Sequence, residues 1–180
     1  MSKEYIEKPH AMRREIRDRE GEATDCGNLG TMFHALGEHK MDKKYIEKAL
    51  EMRNEIGDKK GEANDNRKLG ILFHSLGEYE KARHYSEKAL AMRKEIGDRN
   101  GEAADYGNLG TLFHSLREYE KAKQYITKAL AMRKEIGDRK GEADDYGHLG
   151  MLFHSLCEYE KAKEDRKSTR LNSSHRCISY

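Results

Sequence analysis

The chain is most informative first in what it withholds. It has no excess of one charge: 35 Lys and Arg stand against 33 Asp and Glu, a net of +2. That balance supplies no general pull toward nucleic acid or an anionic membrane. No apolar run approaches the roughly 20 residues of a membrane span, and the opening MSKEYIEKPH is too hydrophilic for a secretory signal. The three cysteines, Cys26, Cys157 and Cys177, have no CxxC spacing and no regular place in the pattern described below. They read as free thiols of a reducing compartment, not as disulfides or zinc ligands. There is no Gly-rich phosphate loop, no HExxH and no nucleophile motif, so no enzyme and no cofactor is expected, and the location expected is cytoplasmic. Apolar residues make up only 36% of the chain and charged residues 38%. That ratio strains a round globule and suits an elongated stack, in which each unit buries one stripe against its neighbour.

What is present is repetition. LGTLFHSLREYEKAKQYITKAL begins at Leu109, a near copy at Leu69, another at Leu149 and a looser one at Leu29. Residues 61–100 and 101–140 match at 29 of 40 positions, and internal repetition at such a period points to a solenoid. Each unit divides into two amphipathic helices. Helix A of the third unit is expected from about Gly101 to Leu116, with Ala103, Tyr106, Leu109, Gly110, Phe113 and Leu116 on one face at spacings of three and four. Helix B is expected from about Tyr119 to Ile136, burying Ala122, Tyr125, Ile126, Ala129, Leu130 and Ile136. Gly110 recurs as Gly30, Gly70 and Gly150. A helical glycine costs about 1 kcal/mol relative to Ala, so the column implies close approach of a neighbouring helix. Gly37 and Gly77 suit a left-handed helix end at the turn, where Arg117 and Cys157 stand in the other units. Gly57, Gly97 and Gly137 end helix B, and Asp58, Asp98 and Asp138 are placed to cap the next helix A.

The columns Tyr106, Leu109–Gly110, Phe113, Ala122, Ile126 and Ala129 resemble the tetratricopeptide repeat signature. The 40-residue unit, with NLG in helix A and EIGDRKGEA in the connection, is similar to the longer variant found in kinesin light chains and G-protein-signalling modulator scaffolds. The resemblance spans about residues 5–164. It implies an all-α, right-handed α-solenoid of about eight helices, with the A helices lining a concave groove. The expected organisation is a half repeat of helix B alone at 1–20, full repeats at 21–60, 61–100 and 101–140, a partial repeat at 141–164, and a non-repeat tail at 165–180, DRKSTRLNSSHRCISY after Glu164. That tail reads as disordered or as translated vector sequence, and the chain as a fragment of a longer array. Pro9 interrupts the half repeat, whose helix is expected to begin there. Asp42 stands in the small-residue column of Ala82 and Ala122, so the first unit is expected to be weakened or shifted.

Function is sought in what the copies do not share. Against similar units, differences gather in four columns: Thr24, Asn64, Ala104, Asp144; Gly27, Arg67, Gly107, Gly147; Asn28, Lys68, Asn108, His148; and Thr31, Ile71, Thr111, Met151. Spacings of three, one and three put them on one face of helix A, largely opposite the Leu–Gly–Phe stripe. Exposed helix B positions such as Lys128, Arg133, Lys134 and Glu135 scarcely vary. By the resemblance this face is the groove, and Asn28 and Asn108 match asparagines that grip a peptide backbone. Lys68 and His148 interrupt that ladder, and the clamp of the chaperone-binding branch is absent. The expected binding residues are Asn28, Arg67, Lys68, Asn108 and His148, with His74, His114, Thr111 and Ile71 in lesser roles. Arg67 and Lys68 add cations suited to an acidic protein or peptide partner. The recurring His34, His74, His114 and His154 do not make a metal ladder, because equivalent helices of stacked units lie about 8–10 Å apart, and no metal residue is assigned. The reading is a protein-interaction adaptor. Its alternatives are a restraining repeat region of a larger signalling protein and a self-associating array that pairs through its terminal helices.

Overall fold

The computed structural model describes residues 18–176, which form seven helices joined by tight turns. In chain order these are α1 (Arg19–Ala35), α2 (His39–Ile56), α3 (Lys59–Ser75), α4 (Tyr79–Ile96), α5 (Arg99–Ser115), α6 (Tyr119–Ile136) and α7 (Arg139–Arg176). Helices α1, α3, α5 and α7 are the A helices and α2, α4 and α6 the B helices. Each packs chiefly on its sequence neighbours, which is the quasi-one-dimensional stacking of a solenoid. The half repeat expected before Asp18 lies outside the described residues. No described helix is long and apolar enough to cross a membrane.

The local chemistry of the repeat explains each boundary. Asp18, Asp58, Asp98 and Asp138 accept the amide hydrogens of Gly21, Gly61, Gly101 and Gly141 at 2.8–3.0 Å. A cap of this kind contributes about 1 kcal/mol, and it starts helix A at Arg99, two residues before the position expected. The B helices stop on Gly57, Gly97 and Gly137, whose φ angles are +70° to +74°. There the Asp58 amide bonds to the Arg53 carbonyl and the Gly57 amide to the Asn54 carbonyl, closing the helix end as a Schellman motif. The A-to-B turn repeats the device: Glu38, Glu78 and Glu118 donate to Phe33, Phe73 and Phe113 at 2.9 Å. In the third unit Arg117 adopts φ 59° in place of glycine.

The fourth unit departs from this pattern. Helix α7 runs through Cys157 without a turn and stays helical to Arg176, across residues expected to be a non-repeat tail. Cys157, unlike glycine, resists the left-handed conformation at a cost of about 1 kcal/mol. Beyond Glu164 the sequence also supplies no Tyr-aliphatic-Lys-Ala-Leu stripe to reward folding back.

Within each complete unit an aromatic stack joins A to B: Phe33–Tyr45, Phe73–Tyr85 and Phe113–Tyr125, with centroids 5.3, 5.4 and 5.1 Å apart. The first unit is therefore not displaced by Asp42. The recurring glycine does allow close approach. A Cβ on Gly110 would lie 2.4 Å from Ile126 Cγ1, on Gly30 2.6 Å from Ile46 Cγ1, and on Gly70 2.4 Å from Ser86 Oγ. Around these contacts Leu29, Leu69 and Leu109 are fully buried, with Ala82, Ala89, Ala122 and Ala129 as the small partners.

Candidate functional site

Residues of all four divergent columns line two cavities on the A-helix face. A cavity of about 350 Å³ is lined by Thr31, His34, Arg67, Lys68, Ile71, Ala104 and Asn108 of the A helices together with Asp42, Ile46 and Arg133 of the B helices. A second, of about 590 Å³, lies against α5 and α7 and takes in Gly107, Asn108, Asp144, Gly147, His148 and Met151. Asn108 and Arg133 line both, so the two cavities adjoin there. Asn108 sits at the junction, half-buried. Asn28 is exposed and lines neither cavity. Thr111 turns its hydroxyl onto the Asn108 carbonyl at 2.8 Å.

The histidines serve the stack. His74 Nε2 meets Ser115 Oγ at 2.8 Å and His114 Nε2 meets Ser155 Oγ at 2.9 Å, so each joins its unit to the next. Burial pushes His74 and His148 below the usual imidazole range, which keeps both neutral near pH 7.

The two cations expected to greet a partner are engaged within the protein. Lys68 Nζ donates to the Gly27 carbonyl at 2.8 Å, and burial lowers its proton affinity, with Asp65 opposing. Arg67 donates to Asn64 Oδ1 at 3.2 Å and lies 3.9 Å from Asp105; burial lowers its proton affinity too.

Their partners belong to a feature that the sequence reading treated as exposed surface. Arg53, Arg93 and Arg133, at the ends of the B helices, are largely buried and reach into the next A helix. Arg53 pairs with Asp65 at 3.1 Å, Arg93 with Asp105 at 3.7 Å and Arg133 with Asp145 at 3.4 Å. Arg53 and Arg133 also donate to the carbonyls of Gly61 and Gly141, and Arg93 binds Asp98 and Asn64. The guanidinium stems lie where a Cβ on Gly61, Gly101 or Gly141 would stand, at 2.4–2.5 Å, so those glycines make room for the arginines. The three aspartates have essentially no exposed surface. Burial raises their carboxyls to about 6 for Asp65, about 7 for Asp105 and about 6 for Asp145, against the pull of the arginines. The signal was present in the sequence: an invariant Arg four residues before the helix-ending glycine, and an invariant Asp twelve residues after that Arg.

A family model described as tetratricopeptide repeat matches residues 23–95 and 66–135. The chain belongs to the tetratricopeptide repeat family. Among solved structures, this tetratricopeptide repeat protein is similar to aspartyl phosphate phosphatase F from Bacillus subtilis, at TM-score 0.80 and 19% identity, covering 89% of this chain and 42% of that one. It is similar to the putative kinesin light chain TPR-like repeats of Podosopora anserina, at TM-score 0.66 and 12% identity, covering 89% and 80%. A Rap conjugation gene regulator in complex with a Phr peptide matches at TM-score 0.57 and 13% identity, covering 87% and 55%. At these identities the likeness concerns the fold. The chain spans less than half the length of phosphatase F. No curated protein matches it.

Proposed function

We infer that this tetratricopeptide repeat protein is an interaction scaffold that holds a peptide segment of a partner protein along the groove of its A helices. The observation carrying the reading is Asn108. It stands where the two cavities meet, on the face where the repeats diverge, and among the described residues its amide has no hydrogen-bond partner. An amide both donates and accepts, so it can satisfy a peptide group without regard to the side chain it carries. A solved Rap regulator of similar fold was captured with a peptide, which is consistent with this use of the fold. His148, Ile71, Thr31 and Met151 supply side-chain contacts around the amide. Arg67 and Lys68 shape the floor. An acidic partner would have to compete there with Asp65 and Asp105, so the groove favours main-chain recognition over recognition of net charge.

The test is selection of peptides from a displayed random library on the full chain, followed by binding to Asn108→Ala and His148→Ala variants whose helicity is unchanged by circular dichroism. Affinity should fall about tenfold or more for Asn108→Ala, the loss expected when a buried hydrogen-bonding group loses its partner. Peptides that bind parent and both variants equally would remove the groove as the working surface.

Self-association has its own observation. Phe153 of α7 is 52% exposed, whereas Phe33, Phe73 and Phe113 of the same column are buried, and Tyr146, two turns earlier on the same face, is 53% exposed. An apolar face of this kind marks an interaction site, and a second copy could cover it. Sedimentation over a concentration series tests this, and a monomer at every concentration refutes it.

A further inference from the structure

The first repeat differs from the others at two buried or half-buried columns, and both differences introduce metal-ligand chemistry. The A-to-B turn reads HALGEHKMD from His34 to Asp42, where the later units read HSLGEYEKA and HSLREYEKA. His39 takes the place of Tyr79 and Tyr119, and Asp42 the place of Ala82 and Ala122. The exchanged residues lie three apart at the start of α2, on one helix face. That face meets the recurring histidine, His34, at the end of α1. The rings of His34 and His39 pack edge-on with centroids 6.2 Å apart, in the same position as the His74–Tyr79 and His114–Tyr119 pairs. The fold thus brings a ring to that place in every unit, and only in the first is it a second imidazole.

We propose that His34, His39 and Asp42 form a divalent metal site of the zinc class. Their donor atoms all lie within 4.8 Å of one another, and the three are the one group of this kind among the described residues. Two ligands of one tetrahedral ion stand roughly 3.3 Å apart at bond lengths of about 2.0–2.1 Å. His34 Nδ1 and Asp42 Oδ2 are already 2.8 Å apart, and rotation of the partly exposed imidazole of His39 closes the rest. Two imidazoles and a carboxylate suit zinc and its borderline neighbours better than calcium or magnesium, which take oxygen ligands.

The packing alone leaves these residues unexplained. Asp42 has no exposed surface, and an alanine fills its column without cost. The hydrogen bond to His34 satisfies Oδ2, but Oδ1 is buried with no partner, and so is Nδ1 of His39. Buried polar groups without partners are costly. A cation held by the three residues would take the place of the His34–Asp42 hydrogen bond and give the unpartnered carboxylate and imidazole a bond each. It would also tie α1 to α2 across the turn, at one end of the groove, since His34 and Asp42 line its smaller cavity.

The experiment uses the full chain with Co²⁺ and Zn²⁺ as probes. The parent should bind one Co²⁺ with the visible absorption of a tetrahedral or five-coordinate site. Zn²⁺ should displace it and raise the melting temperature. Asp42→Ala and His39→Tyr each restore the residue of the other repeats, so both should keep the fold and the helical spectrum. Each should weaken Co²⁺ and Zn²⁺ binding by about tenfold or more, as loss of a ligand must exceed the effect of a supporting residue. Binding unchanged in both variants would assign the ion to other groups, the cysteines first, and overturn the proposal. A parent that gains no Co²⁺ absorption and no thermal shift would overturn it as well.

Discussion

Asp105→Asn tests the energetics of the Arg–Asp ladder. Asp105 is 1% exposed, and its carboxyl is raised to about 7 from 3.8, first by burial, with Arg67 and Arg93 pulling the other way. Between those two pH values the folded chain holds a proton that the unfolded chain has released. Stability must therefore fall as pH rises from about 4 to about 7 and level off above. At about 1.4 kcal/mol per pH unit, ionising Asp105 in the fold costs up to about 4 kcal/mol. Asparagine keeps the size and can still accept from a guanidinium, but it carries no charge to desolvate. Arg93 retains Asp98 and Asn64, and Arg67 retains Asn64. Urea unfolding of parent and variant at pH 5 and pH 8 is the assay. His74 and His148, held below 6.5 by burial, contribute the opposite sign, stability that is lost as pH falls. They contribute equally to both proteins and cancel in the difference. At pH 5, about one unit above 3.8, the variant should already lead by about 1–2 kcal/mol, and at pH 8 by up to about 4 kcal/mol, as when a buried ion pair is replaced by a well-packed neutral group. A variant several kcal/mol less stable than the parent at pH 8 would refute the reasoning, because it would show that the guanidinium groups outweigh burial.

Gly110→Ala and Gly150→Ala form a matched pair: the first places a methyl 2.4 Å from Ile126 Cγ1 and the second meets nothing within 4 Å. Thermal melting should show a loss of about 1–3 kcal/mol for the first and a gain of up to about 1 kcal/mol for the second. Arg117→Gly relieves a positive φ and should stabilise by about 1 kcal/mol, read as a higher denaturant midpoint. Asp98→Ala removes the cap on Gly101 and a partner of Arg93, and should cost about 1–2 kcal/mol in the same assay.

Most of the architecture was legible because it rests on local rules repeated at a fixed period. Leu109, Gly110 and Phe113 show the helical spacing, Gly137 and Asp138 the stop and start, and the copies at 40-residue intervals confirm each other. The end of the last helix was less legible. A turn depends on what waits to pack beyond it, and a glycine column occupied by Cys157 gives no such information. Divergence between copies singles out Asn108, Lys68 and His148, and all three line the cavities, since surface columns drift or specialise while core columns do not. It does not reveal what the cations do. Whether Lys68 faces a ligand or the Gly27 carbonyl depends on a contact 41 residues away in the chain, which no local pattern encodes. Arg133 was misplaced for a related reason. A charged residue near a helix end reads as solvated, and its burial follows only from the aspartate and the capped glycine of the following helix.

In this array the invariant Arg53, Arg93 and Arg133 serve the stack, and the residues proposed to bind a partner stand at variable positions. The arginines do not vary because each meets the aspartate of the next helix A and its cap at once, with a glycine carbonyl as third partner of Arg53 and Arg133 and Asn64 as third partner of Arg93, and no single substitution preserves all three. Their Gly61, Gly101 and Gly141 partners are fixed by the same contact. Positions along the A-helix face bear no such triple constraint, so Thr31, Ile71, Ala104 and Asn108 could diverge without loss of the stack. Where a variable position did acquire a cation, it is engaged within the stack: Arg67 lies 3.9 Å from Asp105 and donates to Asn64, and Lys68 donates to the Gly27 carbonyl. The neutral amide of Asn108 is not engaged by the ladder, and for that reason the proposed peptide contact is assigned to it.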